Sequence, residues 1–131
     1  MAGEIDLAQL VKNMSPRINQ GEYVYCTVEK GEDIPTNNFV GLFREQEGTT
    51  IILSKQEAKR LEMTYSMSCA WITLEVFSSL KAVGLTAAFT RALAEEGISS
   101  NVVAGFYHDH IFVPFDDAAR ALKALIEFSG K

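Results

Sequence analysis

The clearest periodicity in the chain lies in residues 84–114, GLTAAFTRALAEEGISSNVVAGFYHDHIFVP. Apolar residues first recur every three or four positions, which is typical of an amphipathic helix, and Gly97 follows as a helix stop. The remaining residues predict two strands, Val102–Tyr107 and Ile111–Val113, joined by a polar turn at His108–His110. The stretch therefore predicts a helix followed by a β-hairpin.

The segments on either side of this stretch complete a recognisable pattern. An apolar strand, Cys69–Phe77, comes before it, and a second helix, Asp116–Phe128, comes after it. We expect Asp116 to cap that helix, and its inward-facing residues to be Ala119, Leu122, Leu125 and Ile126. The order β-α-β-β-α is most of a split βαβ unit, so we predict an α+β fold of ferredoxin-like architecture.

The first half of the chain predicts, in order, a short helix, a strand, a surface loop and a hairpin that leads into a second short helix. The expected positions of the first four are Leu7–Met14, Glu22–Glu29, Lys30–Asn38 and the strands Phe39–Phe43 and Thr49–Leu53. Ser54 is placed to cap the second helix, with Glu57 at the capping-box position. Residues 51–61 and 112–122 both read as strand, cap and helix, which favours two related halves.

Composition excludes several classes of protein. The chain has 131 residues, of which 47% are hydrophobic, and a formal net charge of −5, which argues against a nucleic-acid partner. No apolar stretch approaches the ~20 residues that a membrane helix needs, and the first ten residues do not resemble a signal peptide, so we expect a cytoplasmic protein. Cys26 and Cys69 lie in apolar, strand-like runs and are expected to be reduced, with a disulfide between them as the alternative.

Two polar features invite a chemical interpretation. His108 and His110 could share a metal ion, but two ligands are too few, and a polar hairpin turn explains the triplet better. Arg44 could clamp an acidic ligand, and the neighbouring Glu45 and Glu47 could form a carboxylate pair for acid–base chemistry. Alternatively, all three lie on a solvated hairpin tip. The sequence shows no constellation for catalysis and no cysteine–histidine ligand set, so we predict no catalytic residue, no metal and no cofactor.

The junction at residues 78–86 allows two interpretations. The free backbone N–H groups at the start of a helix can bind a carboxylate, and Gly84 would let a ligand approach the backbone closely. Alternatively, Gly84 eases a tight turn, and Thr86 or Ser79 caps the helix. Sequence chemistry alone leaves both open.

Three segments together resemble the ACT domain, a small regulatory module that binds amino acids. They are WITLEVF at residues 71–77, VGLTAAFTRALAEEGIS at residues 83–99 and NVVAGFYHDHIFVP at residues 101–114. From Gly21 onward the chain resembles a tandem ACT-like family formerly labelled a domain of unknown function. The resemblance implies two ACT-like halves packed in one compact unit, residues 1–64 and 65–131.

The resemblance also implies a function, a non-catalytic regulatory or sensing module that binds a small amino acid at an interface between modules. The implied ligand-binding residues at the helix start are Val83, Gly84, Leu85 and Thr86, of which Val83 replaces the proline usual in the family. The implied opposite wall is the start of the second strand, Asn101, Val102 and Val103. Such a module is expected to be a homo-oligomer.

The alternative function is a protein–protein interaction or oligomerisation module without a small-molecule ligand. Trp71 and Phe77 motivate it, because both alternate with polar residues on one face of the strand Cys69–Phe77.

Overall fold

The computed structural model of the protein describes residues 7–75 and 84–130. Its helices and strands are α1 (Leu7–Asn13), β1 (Ser15–Glu29), β2 (Gly41–Arg44), β3 (Gly48–Ser54), α2 (Lys55–Arg60), β4 (Cys69–Glu75), α3 (Leu85–Glu95), β5 (Asn101–Ala104), β6 (Asp109–Pro114) and α4 (Ala118–Phe128). The series β4-α3-β5-β6-α4 confirms the predicted α+β, ferredoxin-like order. Val76 and Phe77 of the predicted strand lie outside the described residues.

The chain divides into two compact units that share β1. One unit contains the described residues up to Asn19 and those from Ala70 onward, and the other is Gln20–Cys69. In the first, which we call unit 1, the strand order is β1-β4-β6-β5, and in the second, unit 2, it is β2-β3-β1. β1 begins seven residues earlier than the predicted Glu22, because Pro16 tolerates an extended backbone and Gly21, at φ 103°, bends the strand rather than ending it.

Each unit has its own apolar core. In unit 1, α3 and α4 cover one face of the sheet with Phe89, Leu93 and Leu125, all fully buried against Ile72 and Leu74 of β4. The core of unit 2 consists of Val24, Cys26, Val28, Ile51, Leu53 and Ala58. Both cysteines are buried free thiols, and burial raises the pKa of each, which agrees with the reduced state expected from the sequence.

The ends of α3 are formed as glycine chemistry predicts. Gly97 takes a positive φ of 73°, and its N–H donates to the carbonyl of Ala94 over 2.9 Å. The N–H of Ile98 donates to the carbonyl of Leu93 over 3.0 Å, which completes a Schellman motif, and both of these side chains are buried in the same core. The motif stops the helix and sends the chain into β5.

Two details of α4 differ from the sequence prediction. A 3₁₀ turn occupies Phe115–Asp117, so the predicted cap at Asp116 is wrong: Asp117 is the N-cap, and its side chain makes no capping hydrogen bond. Leu125 is buried as predicted, whereas Leu122 is partly buried and Ala119 and Ile126 are exposed. Ala121, which the prediction did not include, is fully buried, so the buried stripe of α4 runs through Ala121 and Leu125.

The cap of α2 is partly as predicted. The Ser54 hydroxyl accepts a hydrogen bond of 3.1 Å from the N–H of Glu57. The Glu57 carboxylate, however, does not complete a capping box. It accepts two hydrogen bonds from Arg60 and one of 2.6 Å from Thr36, and these bonds lower its pKa to about 2. Glu57 thereby ties the loop that follows β1 to α2.

No helix within the described residues is long and apolar enough to cross a lipid bilayer.

We expect the core of unit 1 to depend strongly on Phe89. Phe89→Ala should lower the free energy of unfolding by about 3–5 kcal/mol, because it removes a fully buried ring and leaves a cavity. The matched control is Phe106→Ala, since Phe106 is 87% exposed and its loss should change stability by less than about 0.5 kcal/mol. Urea unfolding of the two variants measures the difference, and equal effects would contradict the assignment of the core.

Candidate functional site

The start of α3 presents an exposed glycine. Gly84 is the N-cap residue and holds a left-handed conformation at φ 93°, which a residue with a side chain rarely adopts. Leu85 is buried in the core and Thr86 is exposed, so only the latter can present its side chain to a ligand. Because the N-cap is a glycine, Thr86 is not the cap that one interpretation required. Val83 and Ser79 lie outside the described residues.

The second predicted group forms strand β5. Asn101, Val102 and Val103 pair with Phe112, Ile111 and His110 of β6, respectively. Val102 packs against the core of unit 1, whereas Asn101 and Val103 are exposed, the latter at 44%. β5 is an edge strand of its unit, so one side of its backbone is open to a neighbour.

The two predicted groups are separated along the chain by α3. This helix has 11 residues and is therefore ~16 Å long at 1.5 Å per residue. Gly84 is at its first end, while Asn101 follows the Schellman motif at its other end. The structure does not bring Gly84 and Asn101 into contact within unit 1, and a ligand site that contains both needs a second module to supply one of them.

The face of the sheet in unit 1 opposite the helices carries a polar network that the sequence did not indicate. The Arg17 guanidinium donates to Glu75 over 2.6 Å and to the Asn19 side-chain oxygen over 3.0 Å. The Asn19 amide donates to the Thr73 hydroxyl over 2.9 Å. Thr73 is 1% exposed and lies 3.3 Å from Nδ1 of His110. A chain of hydrogen bonds thus crosses β1, β4 and β6.

His110 ends this network, and its neighbours determine its tautomer. The indole N–H of Trp71 donates to Nδ1 of His110 over 3.0 Å, so Nδ1 is an acceptor and the ring proton belongs on Nε2. The pKa of His110 is lowered, first by burial and then by the positive charge of His108, and a smaller raising effect of Asp109 is followed by a still smaller lowering effect of Arg17. The neutral ring is therefore the form that the fold favours.

The hairpin turn lies earlier than predicted. The N–H of Gly105 donates to the carbonyl of His108 over 2.9 Å, so the turn is residues 105–108, and Asp109 and His110 already belong to β6. Predicting the tip at residues 108–110 was wrong, because the apolar pair Phe106–Tyr107 was assigned to a strand, although these residues are 87% and 78% exposed. Within the described residues, no group of three potential ligands is placed to hold a metal ion.

The second polar feature of the sequence lies on the hairpin tip of unit 2. Arg44 ends β2 opposite Thr49 and is exposed. The carboxylate of Glu45 accepts a hydrogen bond from the Thr50 hydroxyl, and its backbone N–H donates to the carbonyl of Gly48 over 2.9 Å. Glu45 therefore stabilises the turn, which favours the solvated-tip interpretation over an acid–base pair.

Comparison with known proteins now adds to this geometry. A family model described as ACT domain matches residues 2–70, and a second model of the same description matches residues 66–127. The chain belongs to the ACT domain family. ACT domains are regulatory modules without catalytic activity of their own. The two matches in tandem confirm the predicted resemblance. A search of curated proteins finds no match.

Solved structures support the assignment of the ACT fold. A protein of unknown function from Vibrio cholerae, described as a possible transport protein, is 45% identical, with a TM-score of 0.82, and the match covers 94% of this chain and 95% of that one. A protein from Agrobacterium tumefaciens is 19% identical, with a TM-score of 0.71 and coverage of 89% and 90%. The regulatory subunit of aspartate kinase from Thermus thermophilus is 10% identical, with a TM-score of 0.64 and coverage of 87% and 97%. The last two show similarity of fold.

We expect the contact between Trp71 and His110 to make the stability of unit 1 depend on pH in the acidic range. The folded state lowers the pKa of His110 below 6.5, so its stabilising effect is present above pH 6.5 and is lost as the pH falls through the folded value. Protonation of Nδ1 sets two donors against each other and breaks the hydrogen bond to Trp71, which is the only tryptophan of the chain.

Tryptophan fluorescence should therefore titrate with a midpoint below pH 6.5. His110→Gln should abolish this step, whereas His108→Gln, which removes the only other histidine, should keep it. If the step survives in His110→Gln and disappears in His108→Gln, then His108 is the titrating group and the prediction is contradicted.

Proposed function

We propose that the protein is a non-catalytic regulatory or sensing module that binds a small amino acid at an interface between modules. The observation that carries the proposal is the pair of ACT domain matches, which together span residues 2–127. In this proposal the two halves, residues 1–64 and 65–131, are the modules of a tandem ACT protein. The likeness to regulatory subunits of aspartate kinase is one of fold and does not name the ligand.

The start of α3 supports this proposal chemically. Gly84 contributes no side chain, so a ligand can approach the first backbone N–H groups of an 11-residue helix. These groups carry partial positive charge and suit the α-carboxylate of an amino acid. A methyl group at Gly84 would meet Leu7 only at an ordinary 3.7 Å, so the left-handed conformation is the reason for glycine here.

The start of β5 supplies the other proposed wall. Asn101 and Val103 are exposed, so an amide and an apolar surface are available for a ligand held by a second module. Since α3 separates these residues from Gly84 within unit 1, the proposal requires a homo-oligomer or a paired module. Val83 to Thr86 of one module would then face Asn101 to Val103 of another. We also propose that the protein is cytoplasmic.

A thermal-shift panel of the twenty amino acids tests the proposal. A ligand at one hundred times its Kd should stabilise the protein by about 2.7 kcal/mol and raise the midpoint of unfolding by several degrees. Asn101→Ala should weaken the affinity, so that the same shift needs about ten times the ligand concentration. Ser99→Ala, an exposed change two residues away, should leave it intact.

The absence of any shift at millimolar concentrations would contradict amino-acid binding. A shift of equal size in Asn101→Ala and Ser99→Ala would show that the ligand does not bind at the start of β5.

One observation favours the alternative, an interaction module without a small ligand. Phe106 and Tyr107 are 87% and 78% exposed at the tip of the β5–β6 hairpin, with ring centroids 5.0 Å apart. Trp71, by contrast, is partly covered within unit 1 by His110 and Phe112. The hairpin tip, rather than Trp71, is therefore the candidate contact surface. Phe77, the other residue that motivated this function, lies outside the described residues.

Under the alternative, the double variant Phe106→Ser/Tyr107→Ser should dissociate an oligomer without loss of folding. Light scattering would then give a smaller mass than for the unchanged protein. When both proteins are diluted to single chains, their unfolding midpoints should be equal. A mass that does not change would show that the aromatic pair holds no interface.

A further inference from the structure

A cleft in unit 2 opens where two paired strands part. The ladder between β1 and β3 ends with Tyr23 opposite Ser54. Beyond that pair, Gly21 bends β1 through its left-handed conformation at φ 103°, and Ser54 leads β3 into α2. The two segments diverge there and line a cleft of about 600 Å³. Its lining includes Gln20, Glu22, Tyr23, Lys55, Gln56 and Lys59. Its volume lies in the range of small-molecule sites.

Internal contacts hold both walls of the cleft in place. The Tyr23 hydroxyl donates to the carbonyl of Gln20 over 2.7 Å, and its ring lies under Gly21, 3.8 Å from where a methyl group would be. The other wall is α2, where the Lys55 ammonium lies 5.9 Å from the centroid of the Tyr65 ring. The same ammonium lies 3.4 Å from the Glu22 carboxylate of β1 and so joins the two walls. These contacts hold Tyr23, Glu22 and Lys55 in place without a ligand, which lowers the cost of ordering them on binding.

The charges of the cleft favour an anion. Lys55 and Lys59 are four residues apart on α2 and so lie on the same side of the helix. Glu22 offsets one of the two charges, while Lys59 makes no ion pair in the part of the chain that the structure describes. In a chain with a net charge of −5, this local excess of positive charge is unusual.

The remaining groups define what kind of anion fits. Glu22 can only accept hydrogen bonds, so it repels a second acidic group but binds a hydroxyl. The amides of Gln20 and Gln56 offer both donors and acceptors, which also suits hydroxyl groups. We propose that this cleft binds a small hydroxylated organic anion, either a hydroxy acid or a phosphorylated polyol, with its charge on Lys59 and its hydroxyls on Glu22 and the glutamines.

This site is separate from the proposed amino-acid site, because all its residues belong to Gln20–Cys69 whereas Gly84 and Asn101 belong to unit 1. Calorimetric titration of the full chain with gluconate and with glycerol 3-phosphate tests it and distinguishes the two sources of charge. We expect at least one of them to bind, whereas glucose, acetate and inorganic phosphate bind at least about tenfold more weakly, since each lacks one of the required groups.

Two variants test the assigned roles. Lys59→Gln should weaken the binding of the preferred anion by about tenfold, while Lys123→Gln, which removes an exposed lysine of α4, should leave it unchanged. Glu22→Gln should reduce the preference for hydroxylated over plain anions. Amide chemical-shift changes at residues 20–23 and 54–59 provide a measurement that does not depend on the variants.

Three results would overturn the proposal. One is the failure of both hydroxylated anions to bind, and another is equal binding of acetate or inorganic phosphate, which would show charge attraction only. The third is equal affinity in Lys59→Gln and Lys123→Gln. If amino acids instead bind in this cleft and depend on Lys59, the ligand class is wrong, whereas a failed amino-acid panel alone leaves this proposal standing.

Discussion

The pairing of β1 is the constraint on which both units depend. Its first residues join the sheet that contains β4, β6 and β5, and its later residues join β3 and β2. Between its two sets of neighbours β1 contains Gly21, whose positive φ of 103° costs little only for glycine. The β1–β3 ladder ends two residues later, at the pair of Tyr23 and Ser54, and the cleft beside Lys59 lies next to that pair. Gly21 thus lies close to the point where β1 changes partners and also lines the cleft.

In unit 1, helix α3 determines what a ligand site can be. Its two ends are fixed by glycines of opposite function, Gly84 as an open start and Gly97 as a closed stop. The open start suits an anionic group, but the strand predicted to complete the site begins at the far end of the helix. In the proposed amino-acid site, a single module would therefore supply one of the two walls, and the tandem ACT matches are consistent with that proposal. The cleft of unit 2, by contrast, is complete within its own unit.

Much of the fold could be predicted because it rests on local periodicity. The stripe of α3, the stop at Gly97 and the cap at Ser54 each depend on neighbours within one helical turn. The polar network of unit 1 could not be predicted, because its deciding contacts are distant in sequence. The hydrogen bonds from Arg17 to Glu75 and from Trp71 to His110 join residues 58 and 39 positions apart, and no local pattern announces them. The turn at residues 105–108 was a local error, since the exposed pair Phe106–Tyr107 has the composition of a strand, and it led to the prediction of His110 as a turn residue although His110 belongs to β6.

The order of the elements in the chain also bears on how the protein folds during synthesis. Residues 20–69 form a unit of their own, so the contacts within this unit can all form once Cys69 has left the ribosome. The described residues up to Asn19 are made before that unit, yet their partners begin about fifty residues later at Ala70 and end with α4. Closing that loop costs entropy before any contact repays it, so α1 and the start of β1 should be among the last segments to find their places. Until then, Leu10 of α1 and the following Met14 remain without the core that buries them.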